Sequence, residues 1–554
     1  MIEVDSTQLE DVLRRAEQAL GAEDYRLLRA IADSYAYVSD LVEDKNTSIR
    51  RLRQLFFGAR TEKTDAVTGR KREIAEATAP GREAADLELA AEAADPSESD
   101  PLRTAPPSRG HGRNGADAYG GAQRIDVGHP SLGAGDVCPA CVRGTIYQKA
   151  PGLLVRITGQ PPLVATIYQL QKLRCHLCGR VFTAPAPTEV GSQKYDATSG
   201  SMIGLLKYGS GLPFNRLEGL QRNLEIPLPA STQWDIVHAV AADLAPAFAE
   251  LIRQAAQGDV LHNDDTTIKI LELMGRRTQP TVPTGGADDP EDQKKANSSH
   301  SRSGLYTSGV IALGNGRRVA LFFSGRRHAG ENLAEVLKLR AAELPPPIQM
   351  CDALSRNLPG ELETIVAHCL AHARRQFVDV YDRFPEPCGY LLESLAEVYR
   401  NDALARQRQL SPEARLRLHQ QSSAATMEQL HDWLARQLSE RLIEPNSALG
   451  SAVRYMQRHW DKLTLFLRKA GAPLDNNLCE QALKKAILHR KNALFYKTQN
   501  GARVGDLFMS LIYTCQLNGA NPFDYLTQLQ QGAQQVAASP DLWMPWNYRH
   551  MRTT

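Results

Sequence analysis

The chain has 554 residues, of which 42% are apolar and 23% are charged, and its formal net charge is +2. This length exceeds what one ordinary core supports, so several domains are expected, and the near-neutral charge neither requires nor excludes a nucleic-acid partner. No apolar run approaches the roughly 20 residues of a membrane span, and the acidic N-terminus lacks a signal-peptide core. We therefore expect a cytoplasmic protein without membrane contact.

Residues 1–63 are predicted to form a helical segment that self-associates. Apolar residues recur alternately three and four positions apart from Leu28 to Phe56, with Lys45 as the polar interruption. This narrow stripe is typical of a leucine-zipper coiled coil, although a helix packing against its own chain would also present an apolar face. We expect a homodimer or higher oligomer formed through this segment.

Residues 64–130 are rich in Ala, Glu, Gly, Pro and Ser and lack apolar periodicity. Such a composition buries too little surface to offset the entropy of ordering, so a disordered linker is predicted. A second polar stretch, near 278–304, is predicted to be a mobile loop by the same argument.

Residues 131–188 contain two CxxC pairs separated by a segment that alternates like strands. The pairs are Cys138 with Cys141 and Cys175 with Cys178. Two such turns supply the four thiolates of a tetrahedral Zn²⁺ site, so a small four-cysteine zinc ribbon with one structural Zn²⁺ is predicted. Redox-active dithiols are the alternative interpretation.

Residues 189–257 are predicted to be helical, with short Gly/Pro turns between helices. This pattern permits a helix-turn-helix, but helical pairs are also common as plain scaffold. Whether this region, the ribbon or the N-terminal basic helix reads DNA stays open.

From Gly258 the pattern changes to strands. Asp264 lies in a predicted strand, a hairpin turning at 314–316 follows, and Asp352 ends another short strand. Long helices then run to Lys469. Carboxylates on several elements of an α/β frame suit two-metal phosphodiester chemistry, because Mg²⁺ prefers oxygen ligands. Isolated acids are, however, usually surface groups or caps.

The stretch LDNNLCEQALKKAILHRKNALF, which begins at Leu474, is predicted to be a helix with a single acid, Glu480, inside a basic face. Asn476, Glu480, Lys484 and Lys491 lie close to one face of such a helix. An amphipathic helix with a solvated charged face gives the same pattern. The context of the other acids has to separate the two interpretations.

Four segments carry a resemblance to a known family. LRQLFFGARTEK resembles a leucine-zipper segment, the CxxC pairs resemble a zinc-binding domain, and KYGSGLPFNRLEGLQR resembles a motif that opens a central domain. The most specific is PLDNNLCEQALKKAILHRKNALFYKTQNGARVGDLFMSLIYTCQLNGANPFDYL, which resembles the C-terminal signature around a catalytic Glu. Together they resemble bacterial transposases of the IS sixty-six family, which are of the DDE type.

The resemblance implies a multidomain protein with an α/β RNase H-like catalytic core at 258–500, long helical insertions near 380–470 and a C-terminal helical segment at 501–554. It implies a catalytic triad of Asp264, Asp352 and Glu480 that holds two Mg²⁺ (or Mn²⁺) ions. The implied activity is metal-dependent cleavage of mobile-element ends and strand transfer into target DNA. Element-encoded helper proteins are implied as further partners, and the protein would be bacterial and nucleoid-associated when bound to DNA.

Several residues depart from the family pattern. Asp265 replaces the usual Glu after the first acid, Cys479 and Gln481 stand where the family usually has Ala and Arg, and the polar insertion interrupts the region after Arg277. Without the Arg, the site lacks one positive charge that could bind a phosphate, and Lys484 and Lys485 could supply this charge instead.

Basic and polar residues near the acids are predicted to contact DNA phosphates. They are Arg374, Arg375, Asn476, Lys484, Lys485, Arg490 and Lys491. The group of His368, Cys369 and His372 is open between a metal site and a structural or DNA-orienting role. The alternative functions are a catalytically inactive DNA-binding repressor or decayed transposase copy, and a structure-specific nuclease.

Overall fold

The computed structural model of the chain describes residues 193–274 and 304–553, residues 15, 64 and 191, and parts of the stretch between 124 and 188. The chain divides into two compact units, one of residues 1–73 and 165–554 and the other of residues 74–164. The coiled-coil stripe, nearly all of the predicted linker and nearly all of the polar insertion lie outside the described residues, as do the four cysteines of the predicted zinc site.

Short antiparallel pairings flank each CxxC pair in sequence. In the unit of residues 74–164, Val137 bridges Thr145 on either side of the first pair. In the larger unit, β1 (Lys172–Arg174) pairs with β2 (Val181–Thr183) on either side of the second pair. A ribbon needs such pairings, but the zinc site itself stays a prediction.

A five-stranded mixed sheet forms the centre of the larger unit. Its strand order is β5-β4-β3-β6-β7, antiparallel from β5 to β3 and parallel from β3 to β7. The strands predicted from Gly258 onward are confirmed, whereas β7, only four residues long, was not predicted. The strands are β3 (Val260–Thr267), β4 (Tyr306–Gly314), β5 (Arg317–Gly325), β6 (Ile348–Cys351) and β7 (Ile365–His368).

The predicted hairpin between β4 and β5 is confirmed, with Gly314 opposite Arg317. Its two turn residues, Asn315 (φ 52°) and Gly316 (φ 71°), both adopt the left-handed conformation. A two-residue turn of this kind matches the right-handed twist of the flanking strands, and Asn-Gly is the pair that tolerates it best.

Helices precede the sheet, as predicted. Helix α1 begins after Asp196, whose carboxylate accepts a hydrogen bond from Ser199 N, and it continues into a π-helical turn, Leu205–Gly209. The 27-residue helix α3 leads into β3, and the short helix α4 comes after β3 in the chain. These helices are α1 (Ala197–Gly204), α2 (Phe214–Asn223), α3 (Ala230–Ala256) and α4 (Leu271–Met274).

A long helical region follows β7, which confirms the helices predicted up to Lys469. Its leucine-rich core includes Leu391, Leu392 and Leu395 and is continuous with Met350 of β6 and Ala367 of β7. The helices after β5 are α5 (Ala329–Leu337), α6 (Leu370–Val380), α7 (Pro385–Gln407), α8 (Pro412–Ser422), α9 (Ala424–Ser439), α10 (Ala448–Arg458) and α11 (Trp460–Leu463).

Four further helices follow, and the second of them covers the edge of the sheet. They are α12 (Asn477–Ala493), α13 (Gln499–Leu517), α14 (Pro522–Gln531) and α15 (Ala533–Ala538). Backbone N–H groups of the edge strand β5 donate to side chains of α13: Ala320 to Thr514 at 3.0 Å, Phe322 to Ser510 at 2.9 Å and Ser324 to Asp506 at 2.7 Å.

The hydrogen bonds between α13 and β5 can repeat along both elements because the repeat distance of the helix matches that of the strand. Four residues of helix rise about 6 Å, and two residues of strand rise about 6.6 Å, so every fourth side chain of α13 meets every second N–H of β5. Helix α13 therefore satisfies an edge that would otherwise be open to pairing with another chain. Among the described helices, none is both long and apolar enough to cross a bilayer.

Candidate active site

The register of two parallel strands brings the first two predicted acids together. Residues of β3 pair with residues of β6 that stand 88 positions later, as His262 does with Met350. Continued by two residues, this register places Asp352, just past the end of β6, beside Asp264 in the middle of β3. Side chains of directly paired residues point to the same face of a sheet, so both carboxylates lie on one face.

The third predicted acid reaches the same place because α12 is anchored to β3. The buried Asn476, just before the helix, bonds His262 Nδ1 through its Oδ1 at 3.0 Å and donates from Nδ2 to Asn263 O at 3.1 Å. The thiol of Cys479 donates to Gly309 O on β4 at 3.4 Å. Glu480, in the first turn of α12, is thereby held near Asp264, whose pKa its charge raises.

The electrostatics of Asp264 reflect this convergence. Burial is the largest influence and raises the pKa of its carboxyl to about 7. The backbone N–H of Asp265, which donates to Asp264 Oδ1 at 2.8 Å, acts in the opposite direction. Repulsion from Asp352, Asp265 and Glu480 raises the pKa further. The charges of both other predicted acids, Asp352 and Glu480, therefore act on the carboxyl of Asp264.

A buried amide network holds the loop that carries Asp352. Asn357 Nδ2 donates a short hydrogen bond to Asp352 Oδ1. The backbone oxygen of Asn357 accepts from Asn263 Nδ2 at 2.8 Å and from Gln349 Nε2 at 2.7 Å. All three amide residues are fully buried. None of the three was among the predicted site residues. Gln349 interrupts the otherwise apolar strand β6, which was the available signal, whereas Asn263 stands among other polar residues of β3.

Glu480 has two basic neighbours on α6. His372 Nδ1 lies 3.7 Å from Glu480 Oε1, and Arg375 Nη2 lies 3.9 Å from Glu480 Oε2. His372 and Arg375 also line an open cavity of about 280 Å³ that Asp352 borders. The cavity lies beside the acids and is open to solvent, so it is a route by which a substrate could approach.

Asp265 has a different place from Asp264. It accepts from Ser308 Oγ at 2.7 Å and bonds His328 Nδ1 at 3.0 Å. Neighbouring strand residues point to opposite faces, so Asp265 faces α5 whereas Asp264 faces α12. Both oxygens of Asp265 are thus engaged within the protein, which favours a structural role.

The predicted phosphate contacts of α12 divide by exposure. Lys484 and Lys491 are exposed. Lys485 is half-buried, lies 5.9 Å from the ring centre of Tyr513, and has a pKa lowered by burial. Arg490 donates from Nη1 to Thr267 Oγ1 at 2.5 Å, so it also ties the helix to the end of β3.

The other predicted phosphate contacts lie further inside the protein. Arg374 is 8% exposed and Asn476 is fully buried, while Arg375 is directed at Glu480. Of the open His/Cys group, His368 is buried with its ring centre 5.0 Å from that of His459. Cys369 is buried beside α12, and burial raises its pKa to about 12. The described geometry thus leaves Lys484 and Lys491 as the most accessible cations of the predicted set.

The three acids suit a hard divalent cation. Their carboxylates come from β3, from the end of β6 and from α12, and the buried Glu480 Oε1 makes no hydrogen bond within the described part of the chain. Mg²⁺ and Mn²⁺ are bound by such oxygen donors.

With this geometry in place, comparison with known proteins identifies the class. A model of a transposase family matches residues 195–282 and 347–504, which include all of α3, β3, β6 and α12. The matched segments are those of the transposase IS66 family. The resemblance found in the central and C-terminal motifs is therefore confirmed. The matched segments contain Asp264, Asp352 and Glu480.

Curated relatives come from Sinorhizobium fredii (strain NBRC 101917 / NGR234). The uncharacterized protein y4hP is 27% identical over 387 residues, which cover 65% of this chain and 63% of y4hP. The uncharacterized protein y4qI is 26% identical over 368 residues, 63% of this chain and 61% of y4qI. The uncharacterized protein y4jD is 34% identical over 189 residues, 33% and 36% of the two chains. The chain thus spans less than two thirds of the length of these relatives.

Proposed function

We propose that the chain is a DDE-type DNA transposase that cuts the ends of a mobile element and joins them to target DNA. The observation that carries the proposal is the register of β3 with β6, which sets Asp264 beside Asp352 while α12 supplies Glu480. The strand order β5-β4-β3-β6-β7, with β4 antiparallel to its neighbours, also suits an RNase H-like core.

In this proposal Asp264, Asp352 and Glu480 would hold two Mg²⁺ or Mn²⁺ ions. Such ions, when bound, lower the pKa of an attacking water or hydroxyl and stabilise the charge on the leaving oxygen. Asn357 keeps the Asp352 carboxylate oriented, and Asn476 fixes the start of α12 so that Glu480 stays near Asp264. The chain's main contribution is therefore a rigid arrangement of charge.

DNA binding rests on the exposed cations near the acids. Lys484 and Lys491 lie on α12 beyond Glu480 and would neutralise phosphates of the bound strand. Arg375, which borders the cavity with Asp352, is placed to contact a phosphate close to the acids. These contacts carry no sequence information, so another region must read the element ends.

Zinc binding and self-association belong to the same proposal. Cys138, Cys141, Cys175 and Cys178 would hold one structural Zn²⁺, because four thiolates in two CxxC pairs form a closed tetrahedral set. The antiparallel pairings around each pair support this assignment. The N-terminal zipper would bring two subunits together, which suits a reaction on two DNA ends.

The proposal is tested by cleavage and strand transfer on labelled duplexes that carry the terminal repeats of the encoding element. Reactions contain Mg²⁺ or Mn²⁺ and the element's helper proteins. The full chain is compared with Asp264→Asn and Glu480→Gln, and with Glu428→Gln on the exposed face of α9 as the matched control. We expect 3′-end cleavage and joining by the full chain and the control, with a loss of at least about 10³-fold in the site variants.

DNA binding measured on the same proteins separates the alternatives. Loss of reaction with retained binding supports the proposal. Binding by every protein with no metal-dependent reaction from any of them would point instead to an inactive repressor or a decayed copy. Cleavage without joining would indicate a nuclease.

A further inference from the structure

Three side chains of different metal-binding chemistry meet beside the proposed catalytic acids. Ligand atoms of Cys369, His372 and Glu480 lie within 4.8 Å of one another. Helix α6 carries His372, Cys369 immediately precedes that helix, and α12 carries Glu480. We propose that these three residues form a binding site for a thiophilic divalent cation of the Zn²⁺ class, distinct from the carboxylate site that suits Mg²⁺.

Two of the three ligand atoms are buried without a hydrogen bond. Within the described part of the chain, neither Glu480 Oε1 nor His372 Nδ1 has a hydrogen-bond partner, and the two atoms lie 3.7 Å apart. Arg375 approaches the other oxygen, Oε2, at 3.9 Å, which leaves Oε1 to coordinate. A buried polar atom left unpaired destabilises the fold, so a coordinate bond at these atoms relieves an existing penalty.

The third ligand supplies the preference for a soft metal. Cys369 is 1% exposed, and its sulfur accepts a hydrogen bond from Asn476 N at 3.2 Å. When a cation binds, the S–H bond breaks, the proton leaves to solvent and the sulfur lone pair forms the metal bond. The thiolate and the Glu480 carboxylate together then balance the charge of a divalent ion.

The spacing and the access both fit. Tetrahedral Zn²⁺, with bonds of about 2.0–2.3 Å, separates its ligand atoms by roughly 3.3–3.8 Å. The His372–Glu480 distance of 3.7 Å already lies in that range, so only small side-chain rotations are needed to draw in the sulfur. His372 lines the cavity that Asp352 borders, which gives an ion a path from solvent. Three protein ligands leave the fourth position to water.

Sharing of Glu480 gives the site a consequence that rests on the proposed function. Glu480 cannot complete the Mg²⁺ site with Asp264 and Asp352 while its Oε1 is bound to a cation held by Cys369 and His372. A thiophilic ion would therefore compete with Mg²⁺ and inhibit the reaction. Excess Mg²⁺ would relieve that inhibition.

The site is tested by counting zinc bound to the full chain after dialysis against Zn²⁺. Cys369→Ser and His372→Gln are compared with wild type, and Cys388→Ser in α7 and His238→Gln in α3 are the matched controls. All five proteins keep the predicted four-cysteine site, so zinc bound there does not contribute to the difference in zinc content between them. We expect each site variant to bind a single equivalent less, or to bind it at least about tenfold more weakly, than wild type and the controls.

Cobalt provides a second readout that identifies the ligands. With Co²⁺ as the probe, the difference between the wild-type and Cys369→Ser spectra should contain a thiolate-to-cobalt charge-transfer band. Equal zinc content and identical cobalt spectra in all five proteins would overturn the proposal. If circular dichroism shows that Cys369→Ser is unfolded, His372→Gln decides the zinc count.

Activity is measured separately, so the two proposals fail in different ways. Zinc added to the Mg²⁺ reaction should slow wild-type cleavage, and zinc that is bound without any slowing would refute the competition. If wild type cleaves no DNA even without zinc, the proposed function fails, while the zinc count still decides the metal site.

Discussion

Asp506 gives a quantitative test of how α13 holds the edge of the sheet. Its carboxylate accepts from Ser324 N at 2.7 Å and from Ser324 Oγ at 2.7 Å. Burial is the largest influence on it and raises its pKa from 3.8 to about 7, while the Ser324 hydrogen bonds and Arg503 act in the opposite direction. Tyr208 and Tyr496, both buried, also face it, since its charge raises their pKa values.

The sign of the effect follows from the raised pKa. Between about pH 4 and pH 7 the unfolded chain loses this proton while the folded protein keeps it, so the free energy of unfolding falls as pH rises and is level above pH 7. Integrated from pH 5 to pH 8 at 1.36 kcal/mol per unit, the loss from Asp506 is about 2.5 kcal/mol, an upper bound. Asp506→Asn removes this loss, and its amide can still accept from Ser324 N.

The expected result is that Asp506→Asn gains stability relative to wild type by up to about 2.5 kcal/mol on going from pH 5 to pH 8. Urea unfolding of both proteins, followed by circular dichroism at the two pH values, measures the difference while other titrating groups cancel. Ser510→Ala is the control on the same helix face. It leaves Phe322 N without its partner and should cost about 1–2 kcal/mol equally at both pH values. A pH-independent difference between Asp506→Asn and wild type would refute the reasoning.

Three further predictions concern other parts of the larger unit. A Cβ added at Gly330 would lie 2.2 Å from a backbone carbonyl oxygen of the loop after β6, so Gly330→Ala should cost about 1–3 kcal/mol, and an unchanged melting temperature would contradict this. Asp402 is 5% exposed and binds Arg415 Nη2 at 2.7 Å. Asp402→Ala should lower the free energy of unfolding, measured by thermal unfolding, by about 3 kcal/mol, because the Arg415 cation loses its carboxylate partner. Asp402→Asn should lower it by less. Lys484→Gln should weaken DNA binding and, in filter-binding assays, reduce the slope of log affinity against log salt concentration by about 1. Lys485→Gln, at a half-buried position, should change the slope less. Equal slopes for wild type and both variants would argue against a phosphate contact at Lys484.

The elements that carry the acids could be predicted because their signals are local. Alternation around Asp264, the Asn-Gly pair between β4 and β5, and the helical spacing around Glu480 each lie within a few residues, and the structure has a strand, a turn and a helix there. The choice of Asp264, Asp352 and Glu480 came from the family resemblance and stays a prediction of function.

Other features could not be predicted because they depend on contacts across the chain. Nothing in the sequence separates the exposed Lys484 from Arg490, yet Arg490 is bound to Thr267, 223 residues away. In the sequence, Asn476 looks like an ordinary polar residue at the start of a helix. Only the tertiary structure shows that it is buried, where it bonds His262. Strand β7 was missed, and its identity as a strand comes from its pairing with β6, in which Ile365 lies opposite Ile348.

What the sequence determined by itself is the order of the elements, the residue types available at each and the family that its central and C-terminal segments match. These follow from local periodicity, turn chemistry and motif resemblance. Tertiary structure decided which faces meet: the register that sets Asp352 beside Asp264, the approach of Cys369 and His372 to Glu480, and the covering of β5 by α13. The physical reason is that backbone propensity acts over a few residues, whereas hydrogen bonding and charge proximity between distant segments are fixed only when the chain packs.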